Sequence, residues 1–511
     1  MPQGWRLVWE RAMGNDRSRA VLLAVLGGLL AGVGLIQGSP FWMISALALL
    51  WDIGFWPVAS ALWGGIAVLV SHGWLLSLHP LTWMGVPALL SLPVALTIWL
   101  SCGLSAALLV ASWAWLNSAL VRLLSVCGSS GFACQGFHVL LMATLWGLGE
   151  VVLAYSPLFW IGIGASLIPG DIWLAGLARS VGSPGLAMLL IVIGWWLRAT
   201  AIAIHRRLGW QRLLVFGTVL LLLLHVWGWT LLRPSAASES LPVAVWQPAI
   251  PTRSKFSEEQ LKQLPMAISS VLDSAAAQKA AWLMAPEGTL PAGKPLMSKA
   301  PLPFLTGGFR WVNGHQRSGI LVFSKGDREA SKAIDKHRLV PIGEWLPTWL
   351  ANLTPGLSAV GGLSPGDSSR LLQWPGPAAA VAICYELSNG SAIAEAVAEG
   401  GKWILAVANL DPYPMALQRE FLALAKLRSI ETSRDLVSVA NTGPSALISA
   451  VGQSVQIVAP MRAGLGVATL HLHDELSFYA RWREWPLLTL LLLSTSGLAW
   501  CMLSNKTKGH V

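Results

Sequence analysis

The order of apolar and polar positions divides the chain into three parts. Apolar runs near the length of about 20 residues needed to cross a hydrocarbon core fall at 20–37, 40–54, 56–78, 86–121, 136–157, 184–204, 211–232 and 486–503. The second is short, and the fourth is long enough to tilt or to extend beyond a bilayer. From Pro234 to Glu484 the texture changes, as charges return and brief apolar runs alternate with turn residues. The expected organisation is a membrane part with seven spans over 1–233, an α/β part over 234–484, and a last span with its tail over 485–511.

Within 234–484, Leu241–Trp246, Ala281–Ala285, Ala378–Cys384 and Trp403–Asn409 read as buried strands. Phe304–Val312 and Gly319–Ser324 read as a hairpin about a Gly–His–Gln–Arg turn. Ser257 and Gln260 have capping-box spacing for a helix that Pro265 interrupts or restarts. Ala392–Gly400 and Met415–Thr432 read as helices, and Val437–Ala440, Ala446–Ala450 and Val467–His471 as strands. Strands alternating with helices over about 250 residues suggest one layered α/β domain.

Composition sharpens this division. Of 511 residues, 54% are hydrophobic and only 12% charged, and between Arg19 and Arg122 the single formal charge is Asp52. A surface facing water cannot be built with so little charge, which excludes a wholly soluble protein. The net charge of +10 does not indicate nucleic acid. Residues 234–484 carry 22 Lys/Arg against 20 Asp/Glu, so the excess lies in the membrane part, with 13 against 5. It marks topology instead. Arg6, Arg11, Arg17, Arg19, Arg122, Arg198, Arg206, Arg207, Arg212, Lys506 and Lys508 fall on one side of the alternating spans, and only Arg179 and Arg233 on the other. Both termini are therefore expected in the cytoplasm and 234–484 outside it, with the first span an uncleaved signal anchor. Almost no charges pair within the spans, which argues against a transporter.

Cys384 is the only cysteine in 234–484, so no disulfide framework exists there. Alone, it is either a buried, inert thiol or one kept for chemistry. Cys102 and Cys501 fall in spans, and Cys127 and Cys134 in an expected cytoplasmic loop. Three segments bear on the choice: Ala285–Pro286–Glu287–Gly288–Thr289, Lys336–His337–Arg338–Leu339–Val340–Pro341–Ile342–Gly343–Glu344, and Ile383–Cys384–Tyr385–Glu386. A thiol of pKa about 8.5 is mostly protonated at neutral pH and needs a base or a cation. Glu287, where an apolar strand ends, is placed to be that base, and Lys336 to meet an oxyanion. The bland alternatives are a solvated Glu287, a charge cluster around Lys336, a loop salt bridge for Glu344 and a structural hydrogen-bonding role for Glu386. His471 and His473 alternate along a strand, but no third metal ligand is evident.

These segments, in this order, resemble the Glu–Lys–Cys pattern of the nitrilase superfamily. With seven spans before them and one after, the chain resembles the membrane-embedded branch of that superfamily, the bacterial apolipoprotein N-acyltransferases. The resemblance implies a polytopic α-helical membrane bundle carrying a nitrilase-like αββα sandwich in a bacterial inner membrane, with that domain periplasmic. It implies Glu287 as general base and acid, Lys336 as oxyanion stabiliser and Cys384 as nucleophile. Glu344, Tyr385 and Glu386 would support them, and Phe256, Asn409 and Glu150 would meet substrate. Arg338 stands where the family has His, the loop Ala408–Tyr413 departs from its pattern, and the Arg that usually follows Glu150 is absent. The implied reaction is ping-pong transfer of an acyl chain from a phospholipid, through a Cys384 thioester, to the α-amino group of a diacylglyceryl-cysteine apolipoprotein. No cofactor, metal or nucleic acid is implied, and the chain is expected to act as a monomer. A membrane-tethered amidase using water, and a non-catalytic membrane scaffold of the same fold, remain as alternatives.

Overall fold

In lipid the backbone must satisfy its own hydrogen bonds, so apolar runs fold as helices. The computed structural model describes residues 17–84, 86–127, 131–156, 159–234, 236–255, 257–341, 343–345 and 362–506. The apolar helices are α1 (Arg17–Gln37), α2 (Pro40–Ile53), α3 (Pro57–Ser71), α4 (Ala88–Val126), α5 (Phe132–Tyr155), α6 (Ala178–His205), α7 (Trp210–Leu231) and, after the sheets, a C-terminal helix (Trp485–Lys506). Among the described residues, six are long and apolar enough to cross a membrane, and α2 and α3 are shorter. Their 14 and 15 residues rise about 21–23 Å, against a hydrocarbon core of about 30 Å. The third expected span, 56–78, ends as an α-helix at Ser71, and Gly73–Leu78 follows as a 3₁₀ turn. The His72 ring at this break lies 3.0 Å from Ser71 Oγ and 3.2 Å from the Phe159 carbonyl. Helix α4 has 39 residues, far longer than a bilayer requires. Cys134 lies in α5 rather than in a loop. Asp52 accepts from Arg198 Nε at 2.7 Å, joining α2 to α6.

The intervening chain forms two six-stranded sheets. The strands are β1 (Glu239–Gln247), β2 (Trp282–Leu290), β3 (Phe304–Val312), β4 (His315–Phe323), β5 (Lys332–Asp335), β6 (Leu371–Leu372), β7 (Ala379–Ile383), β8 (Trp403–Ala408), β9 (Leu436–Ala440), β10 (Ser445–Ile448), β11 (Ser454–Val458) and β12 (Gly464–Leu472). One sheet runs β12-β1-β2-β3-β4-β5 and the other β11-β10-β9-β8-β7-β6. The three central strands of each, β1-β2-β3 and β7-β8-β9, are mutually parallel.

The period of two sorts their side chains. Val243, Val245, Trp282 and Met284 pack between the sheets against Ala380, Ala382 and Trp403. Ala244, Trp246, Leu283 and Ala285 face the other way, against Leu264, Ile268 and Leu272 of α8 (Glu258–Ala277). Helices α9 (Gly390–Ala398) and α10 (Met415–Thr432) cover the second sheet, completing an αββα sandwich.

Three local expectations change. Helix α8, capped by Ser257 Oγ accepting from Gln260 N, runs unbroken through Pro265, because its buried face continues on both sides. The hairpin turns at Asn313–Gly314, both with positive φ, and β4 begins at His315. An Asn–Gly pair at positive φ has the backbone twist that matches the flanking strands. Glu287 lies inside β2 rather than at its end. The β2–β3 register is regular to Ala285↔Thr306 and resumes only at Leu290↔Gly308, so Pro286–Thr289 bulge out of the ladder. A Cβ on Gly307 would lie 2.4 Å from Glu287 Cα and from the Pro286 carbonyl, so the bulge requires glycine opposite it.

The sandwich and the helices share buried polar contacts. Arg428 and Glu431 of α10 pair at 3.1 Å; Arg428 donates to Ser183 Oγ, and Ser183 N donates to Glu431. Gly182, beside them in α6, leaves helical geometry at φ 66°, and a Cβ there would strike the Tyr479 ring at 2.4 Å. Gly307→Ala is expected to cost about 1–3 kcal/mol by overpacking. A denaturation midpoint of detergent-solubilised protein equal to wild type would show that the bulge gives way freely.

Candidate active site

Parallel strands deliver side chains at their C-terminal ends, where α/β folds place their sites. Here β2 brings the Glu287 bulge, β7 ends at Ile383 before Cys384, and β8 ends at Ala408 before Asn409. Lys336 follows β5 on the same sheet as Glu287. Its side chain has no exposed surface, and its ammonium donates to Glu287 Oε1 and Glu344 Oε1, each at 2.7 Å. Glu344 also accepts from Val340 N at 2.8 Å, and Asn409 N donates to Glu287 Oε2 at 3.2 Å.

Burial alone would lower the Lys336 pKa. The charges of Glu287 and Glu344 outweigh it and hold the ammonium well above its ordinary value. Burial raises Glu344, an effect that Lys336 opposes and Glu287 reinforces. Cys384 senses the same charges. Burial pushes its thiol up, Glu287 adds to that, and Lys336 pulls it back. The resting group is therefore a thiol rather than a thiolate.

Cys384 adopts φ 56°, a left-handed conformation that costs a non-glycine residue about 1–3 kcal/mol and persists only when its surroundings enforce it. Glu386 does so. It is buried, with Oε2 accepting from Ile383 N at 2.9 Å and Oε1 from His337 N at 2.7 Å and Arg338 N at 3.0 Å. Arg370 Nη1 reaches both oxygens at 3.2 Å. One carboxylate thus ties the thiol turn to the Lys336 segment. Tyr385 donates its hydroxyl to the Leu339 carbonyl at 2.6 Å, and burial raises its pKa to about 12. Its ring lies under the Arg338 guanidinium at 4.5 Å and faces Lys336 Nζ at 5.9 Å.

The remaining expected substrate residues fall differently. Asn409 gives its amide to Thr252 Oγ1 at 2.7 Å and accepts from Asn441 at 2.8 Å, so its side chain is held by protein. Glu150 is buried in α5, accepting from Trp146 Nε1 at 3.1 Å and Ile163 N at 3.0 Å. It lines an apolar cavity of about 340 Å³ with Trp63, Trp113, Phe159 and Trp160. Phe256 lies outside the described residues. The two histidines do not converge on one point: His471 meets Ser240 Oγ, and His473 meets Asp435. Sequence reasoning missed Arg370 and Lys255, whose ammonium donates to the Glu287 carbonyl at 2.9 Å.

Because Glu386 neutralises Arg370 and fills four backbone and guanidinium donors, Glu386→Ala leaves a buried cation unpaired. The expected loss is about 3–5 kcal/mol, measured by chemical denaturation. A variant as stable as wild type would remove Glu386 from the role of clamp.

No family model matches the chain. An apolipoprotein N-acyltransferase of Prochlorococcus marinus (strain MIT 9313) is 60% identical over 486 residues, covering 95% of this chain and 97% of the relative. One of Parasynechococcus marenigrum (strain WH8102) is 50% identical over 471 residues, covering 92% and 98%. Among solved structures, Saccharomyces cerevisiae Nit3, of the nitrilase superfamily, aligns at 14% identity and TM-score 0.36 over 47% of this chain and 93% of its own, a likeness too slight to carry an argument. The identity to curated relatives over nearly their whole length, joined to a membrane bundle bearing an αββα sandwich, makes this chain a member of the apolipoprotein N-acyltransferase family and an acyltransferase.

Proposed function

We propose that the chain transfers an acyl group from a membrane phospholipid, through a thioester on Cys384, to the α-amino group of a diacylglyceryl-cysteine apolipoprotein. The observation that carries this reading is where the thiol turn sits. Arg338 donates to the carbonyl of Ser156 at the end of α5 and to Ser388 Oγ of the thiol turn. Phe159, from the same connection between α5 and α6, lies 6.4 Å from the Tyr385 ring and stacks on Phe421 at 5.8 Å. The thiol therefore adjoins the membrane helices, and the apolar cavity beyond Phe159 suits a hydrocarbon chain.

In the proposed cycle Glu287 takes the Cys384 proton as sulfur attacks the ester carbonyl, because the resting thiol is not ionised. Two of the three Lys336 donors are held by carboxylates, leaving the third for the oxyanion; a backbone N–H after Cys384 assists. Collapse breaks the ester C–O bond, and Glu287 returns the proton to the departing glycerol oxygen, releasing lysophospholipid. The acceptor amine, whose pKa of about 7.7–8.0 leaves a neutral fraction at pH 7, then attacks the thioester. Glu287 takes its proton and gives it to sulfur, so the thiol is regenerated. Glu344 orients Lys336, and Tyr385 and Glu386 fix the turn.

The division at 233/234 and 484/485 assigns this chemistry to the sandwich. The basic flanks of the spans support a periplasmic sandwich with cytoplasmic termini in an inner membrane. Protein incubated with phospholipid should gain one acyl mass that hydroxylamine removes, and Cys384→Ala should gain none. Removing the Lys336 charge in Lys336→Met should slow acylation about 100- to 1000-fold. Acylation persisting in Cys384→Ala sinks the reading, and release of free fatty acid instead of N-acylated lipoprotein favours the amidase alternative.

A further inference from the structure

Lys255 lies between β1 and α8, in a polar segment that reads as a solvated loop, yet it is buried, with 6% of its surface exposed. The segment is fastened to the site. Ala249 N and Ile250 N donate to Asn441, whose amide donates back to the Ile250 carbonyl. Thr252 Oγ1 accepts from Asn409, and Thr252 N donates to Asp411 Oδ2 at 2.6 Å. This docking carries Lys255 Nζ to the Glu287 carbonyl at 2.9 Å. The ammonium also stands over Gly288 at the positive-φ corner of the bulge, 3.5 Å from where a Cβ would be.

A buried ammonium is costly unless charge and hydrogen bonds compensate it. The acidic groups that act on it are Glu287, on β2, and Asp411, on the loop after β8. Lys336 and Glu344 lie on the far side of Glu287, and Arg253, on its own segment, is exposed. The bulge also has its own internal bond, from Thr289 Oγ1 to the Pro286 carbonyl at 2.7 Å.

We propose that Lys255 is a second, positioning lysine of this site, which holds the Glu287 bulge by its carbonyl and so fixes where the Glu287 carboxylate meets the Cys384 proton. Lys336 is shared between the Glu287 and Glu344 carboxylates, so the Glu287 backbone is held by a different cation, Lys255. Burial lowers Lys255 to about 8, against the opposing pull of Glu287 and Asp411. The clamp is thus charged below that pH and discharged above it. This assignment rests on reading Glu287 as the base.

The test is the pre-steady-state rate of Cys384 acylation by phospholipid vesicles, followed by intact mass across the pH range with full-length protein in nanodiscs. Wild type should show an alkaline decline near pH 8. Lys255→Arg, which keeps its charge at every accessible pH, should move that decline upward while retaining most of the rate. Lys255→Met should lose about 10- to 100-fold, the scale of a misplaced catalytic group, and show no decline near pH 8. A decline that stays in place in Lys255→Arg overturns the assignment, whether or not Lys255→Met folds. So does a Lys255→Met enzyme with the wild-type rate and profile. Wild type that never acylates Cys384 removes the underlying reading and this assignment with it, whereas normal acylation with an unmoved decline removes this assignment alone.

Discussion

The rest of the site depends on one buried ammonium. Lys336 has no exposed side-chain surface, and an ion taken out of water is stable only if good geometry returns what solvation gave. Glu287 and Glu344 do this at 2.7 Å each. They must then be placed as strictly as the lysine. Glu344 is held by Val340 N, and Glu287 by Asn409 N and by Lys255 at its backbone. The bulge in β2, the glycine facing it and the loop after β8 are consequences of putting two carboxylates around one cation. In return the site has a fixed positive charge in a buried setting, which the proposed cycle uses to stabilise an oxyanion without solvent having to reorganise.

A third carboxylate does for the backbone what the first two do for the ammonium. Cys384 sits at φ 56°, and what fixes it there comes from elsewhere in the chain. Glu386 collects amides from both the thiol turn and the Lys336 segment, with Arg370 closing the set. Nucleophile and cation therefore move together or not at all. Arg338 extends this rigid unit to the membrane helices. Where the family resemblance leads one to expect His, the longer guanidinium lies across the Tyr385 ring and still reaches the Ser156 carbonyl.

What could be read in the sequence was what lies in short contiguous segments. Glu287 and Ile383–Glu386 each follow an apolar run that reads as a strand, and Lys336 and Glu344 share one Pro/Gly-rich segment. The long apolar helices and most of the strands were also legible, because run length and period are local properties, whereas the two-sheet sandwich was implied only by the family resemblance. What depends on distant neighbours was not. Lys255 and Thr252 lie in a polar stretch whose burial comes from Asn409, Asp411 and Asn441, more than 150 residues away. Strand β6 has two residues, too few to show a period, although it leads directly from Arg370. Glu287 read as a strand end because the bulge interrupts the ladder in register, not in composition. The Asn313–Gly314 turn was readable from its residues, but the apolar pattern resumes later than the strand does.

The surroundings of the thiol bear on why a transferase rather than a hydrolase is proposed. A thioester survives only while water is kept from it, and the acceptor must still arrive. Phe159, Phe421, Trp74, Tyr385 and Tyr413 form a chain of ring contacts at 5.4–6.4 Å between the membrane helices and the sandwich. The proposed cycle has two lipid-anchored substrates reach the thiol at this junction from the membrane side, one after the other. The charge distribution agrees with that route. The sandwich is nearly neutral, with 22 basic and 20 acidic residues over 234–484, so its field does little to draw in soluble anions or cations. In the proposed cycle both substrates come from the bilayer, so selection needs no long-range field from the sandwich.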